Sequence, residues 1–389
     1  MRPAYIFGEN ETSYRFHADH PFNPIRLALT TSLLTTAGKL SRDECIAPPL
    51  ASIEDLALVH DCDYIEAVQA AAAGTLTGLK ANKFGLGTED TPIFPTIHEG
   101  AARLVGGTML ALDLVASGKV ERAFHVGGGL HHGMQRKASG FCVYNDAAVA
   151  IAHVRKQYGM RVLYVDTDAH HGDGVQWLFY DDPDVMTLSI HETGRYLFPG
   201  TGAVTERGNG NGYGYSWNVP VDAFTQDDSF LHCYETVLRE ACAWFKPDII
   251  LTQNGADAHA FDPLTHLAST IRTFEQIPQI ASRLADEYTE GRLVALGGGG
   301  YDWFRTVPRA WAQVWAGLTR EAPYHGDIPA DWIAQWQHRA DQPLPTRWDD
   351  TTYSFDHIPR RQQIEEKNWE VTKRAFWPFI SNDRKSLYL

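Results

Sequence analysis

Val162-Leu163-Tyr164-Val165-Asp166-Thr167-Asp168-Ala169-His170-His171-Gly172-Asp173-Gly174 decides how the chain reads. An apolar run passes without a polar spacer into three carboxylates, two imidazoles and two glycines. The run is short, uninterrupted and holds two β-branched residues, as a buried strand does. Side chains alternate along extended backbone, so Asp166, Asp168 and His170 are expected on one side. Asp168 and His170 can then reach one cation together.

The same texture recurs around this stretch. Short apolar runs fall at 5–7, 123–126, 185–190, 249–251 and 293–296, several ending in glycine or a carboxylate. Helical spacing separates many of them, at 25–37, 54–60, 63–73, 97–118, 146–158, 228–245, 269–289 and 303–318. Such alternation predicts an α/β fold: a central, mostly parallel sheet flanked by helices on both faces. The Gly- and Thr-rich stretch 75–96 reads as one long loop, a length usual for functional loops. Beyond 320 the texture changes to tryptophans scattered among charges and prolines. We expect a catalytic domain over 1–320 and a Trp-rich extension, 321–389, packed against it, because so many exposed indoles would be costly.

Composition narrows the class. The 389 residues carry 34 basic and 48 acidic side chains, a net charge of −14, which disfavours direct nucleic-acid binding and suits amine-bearing partners. The five cysteines are odd in number and none has C-x-x-C spacing, as in reduced thiols of a cytoplasm. No apolar run is long enough for a bilayer, and residues 1–30 lack a signal-peptide core. A cytoplasmic location without membrane association is expected; the oligomeric state stays open.

Polar clusters stand at the carboxyl ends of the predicted strands, where ligands bind in parallel α/β sheets. Gly127-Gly128-Gly129-Leu130-His131-His132-Gly133 follows the run at 123–126. Gln253-Asn254-Gly255-Ala256-Asp257-Ala258-His259 follows that at 249–251. Gly297-Gly298-Gly299-Gly300-Tyr301 follows that at 293–296. Asp168, His170 and Asp257 form a two-carboxylate, one-imidazole set with a coordination position to spare, the mark of a catalytic metal. The set suits zinc and ferrous iron alike.

These motifs, with Ala138-Ser139-Gly140-Phe141-Cys142-Val143-Tyr144-Asn145-Asp146 and Phe198-Pro199-Gly200-Thr201-Gly202, closely resemble the histone deacetylase superfamily over about residues 15–318. His20-Pro21-Phe22-Asn23-Pro24-Ile25-Arg26-Leu27 is similar to the bacterial acetoin-utilisation branch. The resemblance implies a single-domain arginase/deacetylase-like fold and a zinc-dependent deacetylase that hydrolyses acetyl-lysine amides and releases acetate. It makes Asp168, His170 and Asp257 the metal ligands and His131 and His132 the catalytic pair. Asp166 and Asp173 are their hydrogen-bond partners, and Tyr301 is the transition-state phenol. Asp90, Phe141, Phe198, Leu264 and Gly299 become substrate contacts. Two potassium sites are implied, one from Asp166, Asp168, His170, Ser189 and Ile190, the other from Phe179, Asp182, Val185 and Tyr215. Arg26 matches an arginine of the family's acetate-exit channel. Leu130 departs from the tryptophan of many members.

The same residues leave rivals. An acetylpolyamine amidohydrolase differs only in the leaving amine. A binuclear manganese ureohydrolase shares Asp168-Ala169-His170, but Gly172 stands where it needs a bridging carboxylate and His259 where it needs Asp. A non-catalytic acetyl-lysine binder would not need the whole catalytic set, and a cysteine hydrolase would rest on Cys142 in an apolar setting.

Overall fold

The computed structural model describes residues 2–388. Eight strands form one sheet: β1 (Ala4–Ile6), β2 (Cys45–Ile46), β3 (Arg122–His125), β4 (Val162–Asp166), β5 (Val185–Glu192), β6 (Ser216–Val221), β7 (Ile249–Gln253) and β8 (Leu293–Leu296). Every neighbouring pair is parallel, in the order β2-β1-β3-β8-β7-β4-β5-β6. Parallel strands need crossovers, which bury both faces of the sheet under helices.

Alternation divides the core in two. Leu163, Val165, Ile250, Leu293 and Ala295 face one apolar cluster, which takes in the helices Ile25–Thr36, Asp227–Phe245, Ile271–Tyr288 and Val307–Leu318. Val162, Tyr164, Ile249, Leu251, Val294 and Leu296 face the other, under Ile97–Ala116 and Asp146–Tyr158. This burial on both faces explains why β4, β7 and β8 read as continuous apolar runs.

Some elements differ from expectation. The stretch 75–96 is not one loop: Gly78–Lys83 forms a short helix. The helix Asp173–Leu178 and the strands β2 and β6 carry no clear signal in the sequence. In β6, Asn218 and Pro220 interrupt the apolar pattern; proline is tolerated because this strand pairs on one side only. The last helix of the predicted set begins at Val307, not at 303.

Residues after 320 add to the first cluster. Tyr324, Ile328, Trp332, Trp336, Trp348 and Phe376 are buried in it. The indole N–H groups of Trp332 and Trp336 donate to Ser32 Oγ at 3.0 and 2.8 Å. Burying an indole demands such a partner. Asp349 and Asp350 approach buried Glu275; burial, then these carboxylates, push its carboxyl up from 4.5 to about 7. A raised carboxyl pKa costs stability progressively as pH climbs through that window. Glu275→Gln is therefore expected to raise Tm by about 2 °C or more at pH 8 and to leave it unchanged at pH 4. An equal shift at both pH values, by differential scanning calorimetry, would assign the effect to packing instead.

Candidate active site

Four neighbouring strands, β3, β8, β7 and β4, deliver the four polar segments to one end of the sheet. β4 ends at Asp166, so Asp168 and His170 sit on the irregular segment beyond it. The simple alternation of a strand therefore does not place them; local hydrogen bonds do. Asp168 N–H donates to Asp166 Oδ1 at 3.1 Å, and His170 N–H to Asp168 Oδ1 at 3.0 Å. Ala169 N–H, pointing the other way, donates to Asp257 Oδ1 at 2.8 Å. This last bond ties β4 to β7 across the site.

The result is a buried group of Asp168, His170 and Asp257 with one ligand atom of each within 4.8 Å of the others. His170 Nδ1 lies 3.0 Å from Asp257 Oδ2 and 3.2 Å from Asp168 Oδ1. Among the described residues this is the one metal-ligating group of three found. Its electrostatics call for a cation. Burial disfavours charge on the His170 ring, yet the two carboxylates raise its pKa to about 10. Burial, and then the Asp168 charge, push the Asp257 carboxyl up to about 7. Two carboxylates this close in a dry pocket compete for any positive charge. The donor set fits a divalent metal with an open position.

Gly299 closes the cradle. Its N–H donates to Asp168 Oδ2 at 2.7 Å. A methyl group on Gly299 would overlap the carboxylates of both Asp168 and Asp257. Gly299→Ala is expected to abolish stoichiometric metal binding while the far-ultraviolet spectrum stays native. A variant that holds one metal per chain would remove Gly299 from the cradle. Arg26 fixes the same loop from below, donating to the carbonyls of Gly298 and Gly300 at 3.0 and 2.9 Å. It also borders a narrow cavity with Glu11, Gly128 and Trp311.

The tandem histidines face this group. His131 Nδ1–H donates to Asp166 Oδ2 at 2.8 Å, and His132 Nδ1–H to Asp173 Oδ1 at 2.6 Å. Each bond occupies Nδ1, and His131 Nε2 lies 3.9 Å from Asp168 Oδ1. Burial works against charge on both rings. In His131 the carboxylates of Asp166, Asp168 and Asp173 overcome it and raise the pKa to about 9. In His132 burial, joined by the charge of His131, lowers it to about 4 in spite of Asp173. The two imidazoles are thus pushed in opposite directions, and groups pushed apart in this way take different proton roles.

Tyr301 lies across from them, its ring 6.3 Å from that of His170. Burial and the carboxylates of Asp257 and Asp168 hold its phenol well above 10, so it remains a hydrogen-bond donor. Phe198 stacks edgewise on His132 at 5.0 Å, and Phe141 on Tyr301 at 5.8 Å. Phe141 takes a left-handed backbone, φ 68°, which a bulky residue adopts only where its surroundings impose it. Leu264 is exposed nearby. Asp90 is exposed, and its carbonyl lies 3.3 Å from His20 Nε2, whose ring packs on Phe141.

Residues that sequence reasoning gave no role support this constellation. Asp146 accepts N–H bonds from Gly129 and Leu130 at 3.0 and 2.6 Å and so holds the turn before His131. Thr108 Oγ donates to Asp146, and His125 links Thr108 to Glu11 at 2.8 and 2.7 Å. Asp262 accepts the N–H of Tyr301 at 2.7 Å and that of Leu264 at 2.9 Å, joining two walls of the pocket. Their signal was a polar residue inside an apolar or glycine context, too common to single out.

The potassium candidates are dispersed as two groups. Ser189 is the register partner of Asp166, and its hydroxyl lies 2.8 Å from His191 Nδ1. In the other group Asp182 is ion-paired to Arg155, Asp182 N–H donates to the Phe179 carbonyl, and the Tyr215 carbonyl accepts from Thr187 N–H. His259 turns away from the metal set to Asp350 of the extension at 2.9 Å. A side chain at Gly172 would overlap Asp166, so a bridging carboxylate has no room. Burial holds the Cys142 thiol well above its usual range, which disarms it as a nucleophile.

A doubly covered parallel sheet with a buried one-metal Asp–His–Asp set, a carboxylate-backed histidine pair and a facing phenol defines a metal-dependent amidohydrolase. The histone deacetylase domain model matches residues 20–318. The acetoin utilization protein AcuC of Bacillus subtilis is 52% identical over 383 residues, covering 98% of this chain and 99% of that protein. AcuC of Staphylococcus aureus is 46% identical, covering 94% of each. Among solved structures, a histone deacetylase homologue from Aquifex aeolicus aligns with TM-score 0.84 at 28% identity, over 95% of this chain and all of that one. A homologue complexed with SAHA aligns with TM-score 0.82 at 29% identity and the same coverage. The chain belongs to the histone deacetylase family. It is a metal-dependent hydrolase for acetyl-lysine-type amides. Among the described residues no helix is long and apolar enough to cross a membrane.

Proposed function

We propose that the protein is a zinc-dependent deacetylase that hydrolyses Nε-acetyl-lysine and releases acetate. The observation that carries this reading is the histidine pair, each ring bonded to its own carboxylate, beside the Asp168–His170–Asp257 set, with two phenylalanines and a phenol around it. A divalent cation on that set supplies Lewis-acid polarisation of the acetamide carbonyl and acidifies water in the site. His132, neutral and oriented by Asp173, accepts the proton of the attacking water at Nε2 and returns it to the leaving amine. His131, hydrogen-bonded to Asp166, lends electrostatic support to the developing negative charge. Tyr301 donates its hydroxyl to the oxyanion. Phe141 and Phe198 flank the four-carbon stem, and Asp90 binds substrate backbone at the rim.

Potassium at Asp166, Asp168, His170, Ser189 and Ile190 would stiffen the metal segment, with a second ion at Phe179, Asp182, Val185 and Tyr215. The free cysteines Cys45, Cys62, Cys142, Cys233 and Cys242 fit a reducing cytoplasm. Chelated protein given back zinc should regain hydrolysis of an acetyl-lysine peptide at about one metal per chain. Activity at two manganese ions per chain, or faster hydrolysis of acetylputrescine, would transfer the assignment to the ureohydrolase or the polyamine class.

A further inference from the structure

We infer that a cavity of about 320 Å³ beside the pocket mouth, bounded by Tyr196, Phe224, His266, Arg360 and Ile364, with Asp222, ion-paired to Lys367, at its edge, is a substrate subsite. It takes an aromatic or bulky apolar side chain next to the acetyl-lysine. The assignment rests on the deacetylase reading and names its substrate class: an acetylated polypeptide, because a free acetylated diamine has no side chain to place there.

Two walls of the cavity are joined through the chain to residues beside the metal set. Tyr196 stands two residues before Phe198, whose ring faces His132 and His170. His266 stands two residues after Leu264 and is bonded through its carbonyl to the Phe224 N–H at 2.8 Å. Tyr196 and Phe224 in the cavity wall are 59% and 47% exposed, and Phe198 and Leu264, two residues along the chain from Tyr196 and His266, are 44% and 37% exposed. Such patches mark binding surfaces.

Phe224 is held outward at a cost. Its φ is 65°, the left-handed region that disfavours a bulky side chain. The C-terminal extension imposes this conformation. From the helix Arg361–Phe376, Asn368 accepts the Asp222 N–H at 2.8 Å and donates to Thr225 Oγ at 2.7 Å. Lys367 pairs with Asp222. Both sides of Phe224 are thus clamped by the element that also supplies Arg360 and Ile364 to the cavity. Buried Glu192 fixes the orientation of His266, bonding its ring Nδ1 and its backbone N–H, each at 2.8 Å.

The test uses the zinc-loaded full-length chain and acetyl-lysine heptapeptides with Phe or Gly on either side of the lysine. A Phe-flanked peptide is expected to exceed its Gly counterpart about tenfold in kcat/KM. The ratio should fall to about one in Ile364→Ser and in Phe224→Gly; glycine suits the left-handed backbone, so the second variant keeps its fold. A ratio near one in the wild type, or an unchanged ratio in both variants, would overturn the subsite. So would a wild-type dimer that Phe224→Gly dissociates in sedimentation, since the patch would then cover a second copy. Hydrolysis of Nε-acetyl-lysine amide without flanking preference sinks the subsite alone. Failure to hydrolyse any acetylated amine sinks the deacetylase reading, and the subsite with it.

Discussion

Asp257→Asn is expected to lower kcat by about a thousandfold or more and to leave the protein without bound zinc. The exchange keeps shape and the hydrogen bond from Ala169 N–H but halves the carboxylate count of the ligand set. In the metal-free wild type, His170 shares its Nδ1 proton between two carboxylates. In the variant only Asp168 remains to attract a dication, and an amide oxygen is a poor substitute. Two readouts check this. Metal analysis should fall from about one zinc per chain to near zero. The rise in Tm that added zinc gives the wild type by mass action should disappear. A variant with full zinc and full turnover would show that Asp257 is no ligand.

Tyr301→Phe is expected to cut kcat by about 100-fold or more with KM and zinc content unchanged, as for loss of one oxyanion donor. Tyr301 is pinned through its backbone by Asp262 and through its ring by Phe141, so the phenyl should occupy the same place. The phenol stays protonated because burial and the neighbouring carboxylates oppose its ionisation. A change in KM alone would make Tyr301 a ground-state contact, since only interactions stronger in the transition state change kcat.

The site was largely legible because its residues follow strands that announce themselves. β4, β7 and β8 are buried on both faces, so each reads as a short apolar run with its polar cluster after it, and Ala123-Phe124 in β3 is followed by the glycines and tandem histidines. The supporting residues were not legible. Asp146 looks like the start of a helix, and serves as one, but its carboxylate also anchors the turn of the tandem histidines. Asp262 sits in an unremarkable loop and Glu11 in a short 3-10 helix, and their partners Tyr301 and His125 lie 39 and 114 residues away. The edge strand β6 escaped because a strand with one neighbour tolerates Asn218 and Pro220. The helix Gly78–Lys83 escaped because glycine and threonine dominate its surroundings.

Local composition alone thus determined the α/β class, the strand ends that carry chemistry and the identity of the metal-ligating side chains, because periodicity and residue type are properties of neighbours in the chain. Tertiary structure decided how those side chains act. Which way each histidine is pushed depends on the distance of Asp166, Asp168 and Asp173 from buried rings, since desolvation and Coulomb terms are set by three-dimensional separation. The part played by the extension was decided in the same way. Its tryptophans complete a core begun three hundred residues earlier at Ser32, and its last long helix clamps the loop that carries Phe224.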